Sequence, residues 1–279
     1  MAPTPAVDTF VTPLLWPADQ VPEFMRALMS DLFHRDADEV LASRTAAEVL
    51  AEMDAAGIST AVLNAVPGRA DELADWVAAH PDRFLLSAEF DPRQGMKAVR
   101  EIRRLHDDCG LALVRIVPFM FGIAPNHAAY YPLFAACVDL GLPASVTCGM
   151  PGPPMPAEVQ RPLHLDDVCR YFPELTLIMA HGADPWWDEA IRLMIRFPNL
   201  HMMTSDCAPR YLPAQLIHYL NTRGRKRLMF ATGFPVLDFA RCRAEAEALD
   251  LRPGVLDDYL RGNAERLFGL TSPTHEETA

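Results

Sequence analysis

The sequence predicts a closed (β/α)8 barrel formed by a single domain. Three observations carry this prediction. Eight short apolar runs alternate with amphipathic helical segments, most of those segments are closed by Gly, Pro or Asn, and no linker interrupts the alternation. At 279 residues and half apolar, the chain is long enough to bury the sizeable core of one barrel. The barrel is expected over residues 1–270. The segment 271–279 has no apolar periodicity and is expected to be a disordered tail.

The expected strands are Ala6 to Val11, Thr60 to Asn64, Phe84 to Phe90, Leu111 to Val117, Ala144 to Cys148, Leu175 to Ala180, Leu200 to Thr204 and Arg227 to Thr232. Each is short, bounded by turn residues and apolar at nearly every position, as a strand covered on both faces requires. The expected helices between them are Ala46 to Ala56, Ala70 to His80, Gly95 to Asp107, Tyr131 to Leu140, Leu165 to Tyr171, Glu189 to Phe197 and Pro213 to Thr222. In such a barrel the chemistry sits at the carboxyl ends of the strands, so the residues just beyond each run are the functional candidates.

A net charge of −12 without a basic cluster argues against nucleic acid or an anionic membrane as partner, and favours a small-molecule substrate. Six cysteines with no Cys-x-x-Cys pair are expected to be reduced thiols, which points to the cytoplasm. The amino-terminal residues carry neither a basic region nor an apolar core of the export type. No run approaches the roughly 18 apolar residues of a membrane span.

The most informative stretch runs from Leu175 to Ala190, where an apolar strand ends at His181 and Asp188 and Glu189 open the following helix. A histidine at that junction faces the barrel mouth, or else it packs or caps locally. Asp206, beyond the seventh strand, is the adjacent carboxylate that would orient it; its alternative is a loop acid or cap. His181 and Asp206 are the candidate acid–base pair. Arg115 lies inside an apolar strand and needs a partner there, either a substrate anion or an inward acid such as Glu89. Arg161 and Arg210 are weaker anion-binding candidates, because loop arginines usually make surface pairs.

Several segments together resemble the amidohydrolase-related branch of the amidohydrolase superfamily: Met53 to Ile58, Phe172 to Trp186, Phe197 to Leu200, Leu228 to Pro235 and Gly262 to Phe268. The resemblance covers nearly the whole chain and implies the same barrel, with a homodimer as its assembly. Members are expected to carry His-x-His after strand one, a His after strands five and six, and an Asp after strand eight, holding one or two divalent metals. In this chain those positions fall on Phe10 and Thr12, on Thr147, on His181 and on Gly233. Only the histidine remains. Phe and Gly offer no donor and a neutral threonine is a poor ligand, so no catalytic metal is expected at the usual place and no cofactor is required. A rebuilt set drawn from His181, Asp206, Cys148, Cys207 and Glu89 is the alternative.

These residues imply an amidohydrolase-like hydrolase or carbon–carbon lyase working without a metal on an acidic aromatic or polycyclic substrate. His181 would carry the proton, Arg115 or Arg161 would hold the acidic group, Thr12, Thr147 and Ser205 would supply hydroxyls, and Phe10, Trp16, Phe90, Phe119, Phe121, Trp186 and Phe234 would supply apolar walls. A cyclase or isomerase on the same scaffold and a catalytically silent binding protein remain as alternatives.

Overall fold

The computed structural model describes residues 4–14 and 21–270; Trp16 and the segment 271–279 lie outside them. Eight parallel strands run in sequence order around a nearly closed barrel. They are β1 (Ala6–Val11), β2 (Ile58–Ala65), β3 (Phe84–Glu89), β4 (Leu111–Ile116), β5 (Ala144–Thr147), β6 (Leu177–Ala180), β7 (Leu200–Met203) and β8 (Leu228–Met229). Helices Ala46–Ala56, Tyr131–Leu140 and Leu165–Tyr171 fall where the pattern places them. All six cysteines are free thiols. Among the described residues no helix is long and apolar enough to cross a membrane.

Two boundaries move for identifiable reasons. Leu175 belongs to the turn before β6, because its N–H donates to Phe172 O and its carbonyl accepts from the Asn199 side chain. Strand β8 ends at Met229, since the N–H of Phe230 turns to Tyr259 O and that of Thr232 turns to the carboxylate of Asp8. Helix Phe239–Glu247 has no counterpart in the sequence-based pattern, although Asp238 caps it by accepting from Arg241 N at 2.8 Å.

Val7, Phe10, Val62, Leu113, Ile178, Met203 and Met229 pack together in one buried cluster, separate from the larger apolar layer where the strands meet the helices. Alternation along the strands sends these two sets to opposite faces of the sheet. The seam between β1 and β8 is stitched by backbone bonds, Thr9 N to Phe230 O at 3.1 Å, Thr12 N to Phe234 O at 2.8 Å and Gly233 N to Phe10 O at 3.0 Å.

Asp8 reinforces this seam and is fully buried. Its carboxylate accepts from Phe10 N at 3.0 Å, from Thr232 N at 3.1 Å and from the Thr232 hydroxyl at 2.6 Å. Burial pushes its pKa up to about 7 against the pull of those bonds. A raised folded pKa means stability that is fully present below the ordinary aspartate range and is lost as pH rises through about 7. The unfolding free energy of Asp8→Asn minus that of the wild type is therefore expected to rise between pH 4 and 7 and then level off, measured by urea denaturation across that range. A difference independent of pH would refute the assignment.

Candidate active site

His181 follows the last residue of β6 directly, and Ser205 and Asp206 lie just beyond β7, so the two neighbouring strand ends bring the three side chains together. Nδ1 of His181 is 2.9 Å from Oδ2 of Asp206 and 3.0 Å from the Ser205 hydroxyl, which lies in hydrogen-bonding geometry. Ser205 Oγ also accepts from the His181 backbone N–H at 3.2 Å. Nε2 makes no hydrogen bond among the described residues. With side chains 19% and 35% exposed, histidine and aspartate are both reachable from solvent.

Both members of the pair have left-handed backbones, φ 66° at His181 and φ 56° at Asp206. For a residue with a Cβ this costs about 1–2 kcal/mol, and the surrounding bonds hold the strain in place. Asp206 N donates to Thr232 O at 3.1 Å, and Gly182 N donates to Met203 O at 3.1 Å. Gly182 must remain small as well, since a Cβ there would lie 2.3 Å from the ring of Trp187.

Phe10 stands beside the histidine, with ring centroids 4.7 Å apart in an edge-on arrangement. The guanidinium of Arg115 lies 4.6 Å from the centroid of the same ring. Arg115 is 8% exposed, and among the described residues its guanidinium forms no hydrogen bond or ion pair. Glu89 is its cross-strand partner in register. The two feel each other electrostatically without forming an ion pair; burial lowers the guanidinium pKa and raises that of the carboxyl. The pull of Glu89 and Asp206 offsets part of the cost of burying the guanidinium of Arg115.

The other candidates separate clearly. Thr147 is buried at the end of β5, where its Cα pairs with that of Ala180 beside His181. Thr12 accepts a long 3.5 Å bond from the Asn64 amide just past β1. Trp186 sits half-buried at the start of helix Trp187–Arg196. Arg161 is engaged elsewhere, since it makes a two-pronged pair with Glu189 at 2.6 to 3.2 Å. Arg210 pairs with Glu245. Sequence reasoning missed Asp8, whose signal was a charged residue inside a short, mostly apolar strand.

The donor set does not fit a catalytic divalent metal. Of the positions expected to supply ligands, Phe10 and Gly233 have no donor atom and Thr12 and Thr147 have only neutral hydroxyls. No cluster of three His, Cys, Asp or Glu side chains is placed to hold an ion among the described residues. Cys148, proposed above for a rebuilt set, packs in the layer outside the barrel, and its thiol pKa is pushed up by burial. The Cys207 thiol is likewise pushed up to about 11, chiefly by burial. A depression of about 720 Å³ opens near Asp54, Ser59, Arg83 and Arg261, ahead of β2 and β3. It lies on the barrel face that supports stability, and its Arg83 is already paired with Asp54.

Relief of the left-handed strain gives a stability test of the site. Asn tolerates this backbone better than His, so His181→Asn is expected to leave the unfolding free energy unchanged or to raise it by up to about 1 kcal/mol in chemical denaturation. A loss of more than about 2 kcal/mol would mean that the imidazole is a structural element.

A family model described as amidohydrolase matches residues 12–270. No curated protein matches the chain. Among solved structures it is similar to an uncharacterised TIM-barrel protein from Bordetella bronchiseptica, at 25% identity and TM-score 0.77 over 95% of this chain and 98% of the other. It is similar in fold to a 2,6-dihydroxybenzoate decarboxylase from Rhizobium, at 20% identity and TM-score 0.72 over 95% and 98%. It is also similar to a 5-carboxyvanillate decarboxylase from Novosphingobium aromaticivorans solved with manganese and a nitrobenzoic acid, at 19% identity and TM-score 0.71 over 95% of each chain.

Proposed function

The chain belongs to the amidohydrolase family, and from that premise we propose that it is an acid–base enzyme that decarboxylates an aromatic or conjugated carboxylic acid without a metal. The observation that carries this reading is the buried guanidinium of Arg115, which has no ion-pair partner among the described residues and shares the ring of Phe10 with His181. The geometry supports an anion seated against Arg115, its flat body along Phe10 and its reacting carbon toward Nε2 of His181. The decarboxylases of similar fold act on aromatic acids, which supports the same substrate class here.

The mechanism follows from the groups present. Arg115 fixes the acid through paired N–H donors, and the apolar surroundings remove water from the carboxylate. The imidazolium of His181 donates the Nε2 proton to the carboxyl-bearing carbon, which an ortho or para hydroxyl makes electron-rich. The carbon–carboxyl bond then breaks, its electron pair returns to the conjugated system and restores the ring, and carbon dioxide leaves. Asp206 stabilises the positive ring before transfer and keeps Nδ1 protonated afterwards, and a proton from solvent resets Nε2. Ser205 holds the ring plane through its bond to Nδ1. Metal independence rests on the donor chemistry of the strand ends.

The test is a panel of hydroxylated benzoates assayed for carbon dioxide release with protein stripped by chelator. At least one acid is expected to turn over. His181→Asn should lower kcat by about 10² to 10⁴-fold, the usual worth of a positioned acid. Arg115→Met should raise KM by about 10 to 10²-fold, the worth of a charge-assisted bond. Arg161→Ala should change neither. Activity that vanishes on chelation and returns with manganese or zinc would overturn metal independence, and an unchanged kcat in His181→Asn would overturn the role of the histidine.

A further inference from the structure

Gly233 stands where the resemblance expects the metal-binding aspartate after the eighth strand. A Cβ built on Gly233 would lie 1.7 Å from Oδ1 and 2.8 Å from Cγ of Asp206, far inside contact distance. The carboxylate of Asp206 therefore fills the volume into which any side chain at 233 would project. It comes from the neighbouring strand end and turns its other oxygen to Nδ1 of His181 at 2.9 Å. The backbone is set up for this from both sides: φ is 82° at Gly233 and 56° at Asp206, and the strand ends are tied by the bond from Asp206 N to Thr232 O.

We propose that Gly233 is a positioning residue whose missing side chain lets the Asp206 carboxylate reach Nδ1 of His181, and that this contact fixes the neutral imidazole as the Nδ1–H tautomer. The chemistry follows from what each neighbour of Nδ1 can do. A carboxylate only accepts, so it demands a proton on Nδ1 and leaves the lone pair on Nε2 facing the substrate. The Ser205 hydroxyl already accepts from the His181 backbone N–H and keeps its own proton to give. Without the carboxylate, Ser205 donates to Nδ1 and the ring proton moves to Nε2. The site has thus exchanged an acid on strand eight for one on strand seven, and the glycine is the condition of the exchange.

This inference rests on the acid–base role proposed for the His181–Asp206 pair, and it is tested by a readout that needs no substrate. Nitrogen-15 NMR of the imidazole side chains, recorded where they are neutral and with His181 assigned by the signal lost in His181→Asn, shows which ring nitrogen carries the proton. The wild type is expected to be protonated at Nδ1, and Asp206→Ala at Nε2. Gly233→Ala should match Asp206→Ala, and the double variant Gly233→Ala with Asp206→Ala should be indistinguishable from either. Gly233→Ala with the wild-type pattern, or Asp206→Ala with Nδ1 still protonated, overturns the proposal. Should Gly233→Ala fail to fold, Gly233→Ala with Asp206→Gly removes the carboxylate clash and is expected to restore folded protein. Failure of both would place the constraint on the backbone instead, since a Cβ at 233 also lies 2.9 Å from Asp206 N, and would overturn the proposal. A tautomer that responds as expected while His181→Asn keeps full turnover would sink the proposed function and leave this inference standing.

Discussion

Closure of the barrel between its first and last strands is the constraint on which the rest depends, and Asp8 is the charged side chain that reinforces it. A sheet of eight parallel strands leaves two edges, and β8 is too short to pair fully with β1. The carboxylate of Asp8 supplies acceptors where the ladder has run out, binding Phe10 N on one side and Thr232 on the other. A buried carboxylate is costly, and a solvated one in the unfolded chain is not. The seam therefore works only because every bond it makes is satisfied at once.

The same bonds place the functional groups. Phe10, held through its own N–H, presents its ring to both Arg115 and His181. Thr232, held from the same carboxylate, gives its carbonyl to Asp206 N and so sets the strand end that carries the acid. The left-handed residues His181 and Asp206 are the strained members of this set. Their strain is held by contacts that originate on three strands, which explains why it persists at two adjacent positions instead of relaxing.

Much of the architecture is legible in the sequence, because parallel strands buried on both faces read as short apolar runs and helices announce themselves by caps and stops. Ala6–Val11, Ala46–Ala56 and Tyr131–Leu140 are recovered to the residue. Strand β8 is not, since its apolar run continues through residues whose backbone bonds go to Asp8 and Tyr259, partners that no local pattern reveals. The site shows the same division. His181 and Asp206 are visible from their places at strand ends. The engagement of Arg161 with Glu189 depends on a helix packing 28 residues away in sequence, and the seam role of Asp8 depends on a partner 224 residues away.

With Phe10, Thr12, Thr147 and Gly233 at the expected ligand positions, the chemistry proposed above needs another source of positive charge. A divalent ion concentrates positive charge at the centre of the mouth, where it holds the substrate and its developing charge together. Here the positive charge stands on the wall, as the guanidinium of Arg115, with Glu89 and Asp206 as its electrostatic counterparts. Unit charges that are not in contact still attract each other in a partly desolvated site, so such acids can help hold the cation in place. Close contact with Glu89 would neutralise the guanidinium and occupy the fork that, in the function proposed above, takes the substrate carboxylate. Phe10 completes the substitution. Its ring face attracts the guanidinium, and its T-shaped contact with the imidazole brings both groups to one ring. In the function proposed above, a phenylalanine at an expected ligand position thus seats the anion-binding group and the proton carrier against a single apolar surface, where one substrate can meet both.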